Sequence, residues 1–376
     1  MKLKTMIKQK TMRPLLALSI AISITPVQGM QAMNDESLSK ITGQALFVSD
    51  KIDPSGAPLS PTDFTFYRMG MDIELALNAN IDKLQLGCGG FNETLASNSC
   101  DIDWDFVRFM GRNGSTAGNP VTSDFKLVRP YIEIAIRNDS SFSQREVAGI
   151  KFGSELADGY VGIGRRYQAG QVNQEHGGTC GSGSPNERLA CHSGINQLSG
   201  YMNIELSGEF PVTIPLAGSA TACFGDVSSN SNCNTPFFTE VAGSRISELY
   251  IPGVELTLSN NLLFSLFGIT SSFSSIRQNQ RFVHGFSLEN TSDYFMSFQR
   301  ESISYPTYDK SGHAAPTNPG WWMNVPSVRV VDFVGDTIER SIGEALEGFS
   351  APGPLVFNSE LNQTPPTNCY GSSIFC

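Results

Sequence analysis

The chain has 376 residues, of which 40% are apolar and 16% charged, with 36 acids against 26 bases. That balance excludes a disordered polypeptide. The acidic surface also excludes nucleic acid and anionic lipid headgroups as expected partners.

The first thirteen residues carry five cations and no acid (Lys2, Lys4, Lys8, Lys10, Arg13), and an apolar run from Leu15 to Ile24 follows. This order of charge, then apolar residues, predicts a secretory leader over 1–29, cleaved after Gly29. The run is too short for the roughly 20 apolar residues of a membrane-spanning helix. Loss of the leader leaves about 21 bases against 36 acids, so the exported chain is expected to carry about −15. Asn34 or Asp35 can cap a short helix that Gly43 ends.

Beyond that point the dominant period is two, which predicts an all-β protein of elongated antiparallel sheets in a sandwich-like arrangement. Ile73, Leu75, Leu77, Ala79 and Ile81 share one face of a strand, and the pattern slips at Leu84 and Leu86, which implies a bulge before Cys88. Ile102, Trp104 and Phe106 alternate with Asp101, Asp103 and Asp105, and Ile132, Ile134 and Ile136 alternate with Glu133 and Arg137. Asp158-Gly159 reads as a hairpin turn between Val147–Phe152 and Val161–Arg165. Further strands are expected around Met202–Leu206, Val212–Leu216, Leu249–Ile251, Val254–Leu258, Phe282–Leu288 and Tyr294–Phe298. A late helix is predicted from Asp336, with Ile338, Ile342 and Leu346 on one face. The expected organisation is a leader (1–29), a first β region (30–168), a Gly-rich linker (169–198), a second β region (199–334) and a short helix with a Pro-rich tail (335–376).

The cysteines fall as four sequence neighbours: Cys88 with Cys100, Cys180 with Cys191, Cys223 with Cys233, and Cys369 with Cys376. In an exported chain this spacing predicts four local disulfides across loop-sized gaps. His176, Cys180, Cys191 and His192 have residue types that suit zinc, but adjacent Cys191 and His192 point apart and the oxidised pair is preferred. The acidic row Asp101, Asp103, Asp105 is a weak calcium candidate, because an EF-type loop wants glycine where Phe106 stands. A solvent-facing strand edge that discourages sheet-to-sheet pairing is the plainer reading.

His284 reads as a satisfied structural histidine between Phe282 and Phe286, and His313 as a solvated loop residue. Phe264, Phe267, Phe273, Trp321 and Trp322 are expected in the core rather than on a sugar platform. Gly162-Ile163-Gly164 falls in a strand, where small residues admit a neighbouring layer. No catalytic serine elbow or zinc-peptidase helix motif occurs, so neither enzymatic activity nor a cofactor is expected.

Three stretches carry a resemblance. Asp124-Phe125 through Pro130-Tyr131-Ile132-Glu133-Ile134-Ala135-Ile136, then Arg145-Glu146-Val147-Ala148-Gly149-Ile150, and the close from Pro365 to Cys376, are similar to Fil-type pilus-assembly proteins of Gram-negative bacteria. The opening Asp35-Glu36-x-Leu38-Ser39-x-Ile41-Thr42-Gly43-Gln44-Ala45 looks like that of exported proteins of the same group. The resemblance implies a surface or pilus-related role, with envelope or pilus proteins, or a host surface, as partners. It brings no catalytic residues. The rival expectations are an outer-membrane β-barrel and a secreted carbohydrate-active hydrolase.

Overall fold

The computed structural model describes residues 47–53, 63–93, 99–112, 123–206, 209–214, 218–223, 237–252, 275–330, 333–335, 338–339, 356–358 and 361–368. The predicted leader, the capped segment 33–45, the strand at Val254–Leu258, Phe264, Phe267, Phe273, Cys233 and the Cys369–Cys376 loop lie outside these residues. So does the side chain of Cys223.

The protein is mostly β, as the period-two pattern requires. In chain order come β1 (Phe47–Ile52), β2 (Phe64–Met71), β3 (Glu74–Leu77), β4 (Ala79–Leu86), β5 (Ile102–Met110), β6 (Phe125–Arg137), β7 (Glu146–Gly162), β8 (Arg165–Arg166), β9 (His192–Ser193) and β10 (Ile195–Leu206). They continue with β11 (Glu209–Ile214), β12 (Gly218–Cys223), β13 (Phe237–Ile246), β14 (Glu248–Pro252), β15 (Ser275–Asn279), β16 (Gly285–Gln299) and β17 (Gly320–Val330).

Eleven of these strands form one sheet, ordered β1-β2-β6-β7-β16-β17-β10-β5-β4, with β3 paired to β6 and β13 to β10. The sheet is mixed rather than wholly antiparallel, because β10 and β17 run parallel. It also closes on itself. The last three residues of β7 (Tyr160–Gly162) pair with the end of β5 (Arg108–Met110), so β7, β16, β17, β10 and β5 make a continuous circuit of hydrogen-bonded neighbours. Strands from both predicted β regions interleave in this circuit. The Gly-rich segment 169–198 lies within the same compact unit, which spans Ala45–Cys376.

Two large apolar cores, beside a small contact of Met110 with Tyr160, form among the described residues. The first fills the circuit with Ile102, Trp104, Val161, Leu198, Phe286 and Val325 among others, and Trp104 meets Phe286 edge-on at 6.1 Å between centroids. The second joins Phe64, Phe66, Ala135, Phe295 and Trp322 to Ile303 and Tyr305, which belong to the loop after β16.

Several expectations are corrected. Asp158-Gly159 is no turn: β7 runs unbroken through it, and Gly159 is there because a Cβ would lie 2.3 Å from Phe125 Cδ2. The strand at 73–81 breaks at Asn78, where the chain changes partner from β6 to β5, while Leu84 and Leu86 pair with Trp104 and Ile102 in unshifted register. Ile338–Glu339 is strand, parallel to Val212–Thr213 of β11, where the predicted helix would begin, and Asp336, Ile342 and Leu346 lie outside the described residues. Among the described residues an α-helix, α1 (Pro185–Ala190), forms in the Gly-rich segment. Ser184 caps it by accepting from the Glu187 amide at 3.2 Å, with Pro185 in the first turn.

Candidate interaction face and buried polar centres

The acidic row on β5 does not line an exposed edge. β5 is flanked by β4 on one side and by β10 and β7 on the other, so Asp101 and Asp105 are buried and each meets cations and amides. Asp101 accepts from Arg245 Nε at 2.9 Å, Asn92 Nδ2 at 2.9 Å and the Trp321 amide at 2.9 Å. The carboxylate fits because Gly87 and Gly320 flank it. Both have positive φ, and a Cβ on either would approach Asp101 Oδ2 to 2.3–2.4 Å.

Asp105 and Asp103 converge on one cation, the Lys83 ammonium, at 2.6 and 3.1 Å. Burial alone would raise the Asp105 carboxyl. Hydrogen bonds from His176 (2.7 Å), Lys83 and Asn196 (3.0 Å) instead bring it down to about 2. Among the described residues no three His, Cys, Asp or Glu side chains converge as metal ligands.

The four residues with zinc-like types separate. Cys180 and Cys191 form a disulfide, as do Cys88 and Cys100, and such bonds mark an oxidising, exported environment. His176 turns to Asp105, whereas His192 stacks on His284 with centroids 5.1 Å apart. His284 is fully buried. Its Nδ1–H donates to the Ile163 carbonyl at 2.9 Å, so its Nε2 accepts from His192 Nδ1–H at 2.8 Å.

Burial, with His192, Arg166 and Arg108 nearby, holds the His284 pKa well below the usual imidazole range. The unfolded chain therefore binds more protons below about pH 6.5, so stability falls as pH falls through that point. Unfolding free energies from urea titrations between pH 7.5 and 5 should decline by up to about 1.4 kcal/mol per pH unit, and His284→Phe should flatten the decline. His313 is half-buried rather than solvated. Its backbone bridges Pro306 and burial lowers its pKa.

A second buried charged centre underlies β2, β6 and β7. Arg68 donates to Glu133 at 2.6 Å and, through its two terminal nitrogens, to the carbonyls of Tyr308 (2.7 Å) and Thr307 (3.1 Å). Lys151 lies 3.6 Å from the other Glu133 oxygen and donates to the Pro306 carbonyl at 2.9 Å. Its ammonium is enclosed by the rings of Phe295, Tyr131 and Tyr305, at 4.6, 5.1 and 5.5 Å from their centroids. Burial lowers the Lys151 pKa, against the pull of Glu133. This cluster ties the loop after β16 over one face of the sheet.

The opposite face of the same strands is apolar and open. Register sets Met69, Ile132, Phe152, Met296 and Met323 side by side across β2, β6, β7, β16 and β17. A second row joins Tyr67, Ile134, Ile150, Phe298 and Trp321. Met323 is buried in the first core, and Met296 and Trp321 pack against it. Toward β2 the cover stops: Phe152 is 45% exposed, Ile132 40% and Met69 58%, and Phe47 on β1 reaches 70%. The face is thus an uncovered continuation of the core. Monomeric surfaces rarely leave such contiguous apolar ground to solvent, and where they do it marks an interaction site.

Trp322 is in the second core and Trp321 beside the first, as core packing requires. No helix among the described residues is long and apolar enough to cross a membrane. No family model matches the chain, and no curated protein or solved structure matches it either.

Proposed function

We propose that this is a non-enzymatic, exported interaction protein of a bacterial envelope or surface, working in pilus assembly or adhesion through the open face of its main sheet. The observation that carries the reading is the in-register apolar row Met69–Ile132–Phe152, which the fold leaves uncovered. The two disulfides support export, and the sequence resemblance to Fil-type proteins supports the pilus link. The buried carboxylates and histidines are engaged in holding strands and loops together, which fits a scaffold better than a hydrolase. The outer-membrane barrel reading is weakened by the filling of the closed circuit with Trp104, Phe286 and Val325, where such barrels enclose a polar interior. Deleting the gene should abolish piliation or adhesion while leaving growth intact. A deletion strain that is fully piliated and adherent removes the assembly role.

A further inference from the structure

The segment from β8 to β9 is bonded within itself. Arg165 and Arg166 pair with Ser193 and His192 to make a short stem. Beyond the stem the Cys180–Cys191 disulfide closes the segment, and Asn173 Nδ2 donates to the carbonyls of Ala190 at 3.1 Å and His192 at 3.0 Å. The unit from Arg165 to Ser193 therefore holds its own shape. Its side chains meet the closed circuit of strands where His176 reaches Asp105 at 2.7 Å, Arg165 lies over the Phe106 ring at 3.7 Å, and His192 bonds His284 at 2.8 Å.

We infer that the His192–His284 contact is an acid-operated latch, which on protonation frees this disulfide-closed unit to swing away from the end of the strand circuit. The contact is built for two neutral rings. With Nδ1–H of His284 committed to the Ile163 carbonyl, a further proton can enter only at Nε2, where it would face the His192 Nδ1–H across 2.8 Å. The surroundings oppose that proton as well. The charged neighbours of His284 are cationic, Arg166 of β8 and Arg108 of β5, with the titratable His192 itself. Arg281, on the turn that packs Phe282 against His192, donates to Asn196 Oδ1 at 3.1 Å. Asp105 bonds Gly164 and Gly194 through its backbone at the base of the unit, but its carboxylate turns to His176, Lys83 and Asn196.

Opening at this place breaks the contacts of one unit and leaves the pairing of the main sheet intact, so it costs less than global unfolding. The open form gives His284 to water, where it takes a proton at the ordinary imidazole value of about 6.5, while the closed form resists that proton. Opening is thereby favoured as pH falls below that value. Between pH 7.5 and 5 the open population should grow by up to about 30-fold.

Native-state hydrogen exchange of the full exported protein, disulfides intact, tests this at pH 7.5 and 5, with rates corrected for the intrinsic pH dependence of exchange. The reporters are the Gly164 and Asp105 amides, which donate to the Asp105 and Gly194 carbonyls at the base of the unit. Their opening constant should rise by up to about 30-fold on acidification, with a weaker urea dependence than that of Ile150–Ser154 in the β7–β16 pairing. His284→Gln keeps a donor for the Ile163 carbonyl and an acceptor for His192 but does not titrate, and it should abolish the rise. His284→Phe serves if the glutamine variant loses its wild-type circular dichroism. Base amides that ignore acid, that respond equally in a folded His284 variant, or that open only with the urea dependence of the β7–β16 amides would each overturn the proposal.

Discussion

Replacing Glu133 with leucine is expected to destabilise the protein by about 3–5 kcal/mol, whereas Lys151→Met should cost less than about 1 kcal/mol or stabilise it. The asymmetry follows from the charge count of one buried cluster. Glu133 is the carboxylate between two cations, Arg68 at 2.6 Å and Lys151 at 3.6 Å. Without it, two positive groups face each other in an apolar wall of Tyr131, Phe295 and Tyr305. Removing Lys151 leaves the Arg68–Glu133 pair intact and takes one of two nearby cations from the half-buried Asp293, and methionine refills the ring-lined space. The two variants also differ in pH response. Because burial depresses the Lys151 pKa, the unfolded chain holds the extra proton, and wild-type stability should rise with pH up to the unfolded lysine value of about 10.4. Lys151→Met should lack that rise. Urea midpoints at several pH values measure both effects, and equal losses from the two substitutions would show that charge balance is not what the cluster supplies.

Arg245→Met is the second large loss, again about 3–5 kcal/mol, because it strands the buried Asp101 carboxylate. Arg245 reaches from β13 to Asp101, just before β5, and to the carbonyls of Gly87 and Gly89 beside Cys88. One guanidinium therefore binds the Cys88–Cys100 loop to the strands behind it. Asp101→Asn in the Arg245→Met background should recover part of the loss, since a neutral amide costs less to bury than an unpaired charge. If the double variant is no more stable than Arg245→Met, the carboxylate is not the stranded group.

What the sequence made legible was the pattern on half-buried strands. Ile132, Ile134 and Ile136 alternate with Glu133, and β6 lies where they predict. Alternation alone does not say which face is buried, and in β6 the isoleucines face outward while Glu133 is buried. The reason is non-local: Arg68 and Lys151 arrive from strands 65 residues before and 18 after to compensate the carboxylate. The acidic row of β5 misled for the same reason, since Lys83, His176, Asn196 and Arg245 reach it from four other segments. β17 passed unnoticed because its residues are buried on both sides, so Trp322, Met323, Asn324 and Val325 show no alternation. Pro326 further obscures it, and sits where the register with β10 shifts. The helix α1 had a readable signal, Ser184-Pro185-Asn186-Glu187, which the glycines around it masked. The disulfides Cys88–Cys100 and Cys180–Cys191 were legible from short spacing together with the expected export, while the same reading of Cys223 with Cys233 and Cys369 with Cys376 falls outside the described residues.

The central claim about the molecule is that its open face meets its partners. Site-specific photo-crosslinking in the native envelope tests this directly, with the probe placed at Phe152 on the face and at Phe142 on the hairpin tip. Discrete protein adducts from position 152 and none from 142 are expected. Adducts from 142 alone, or none from 152 in exported and folded protein, would contradict it.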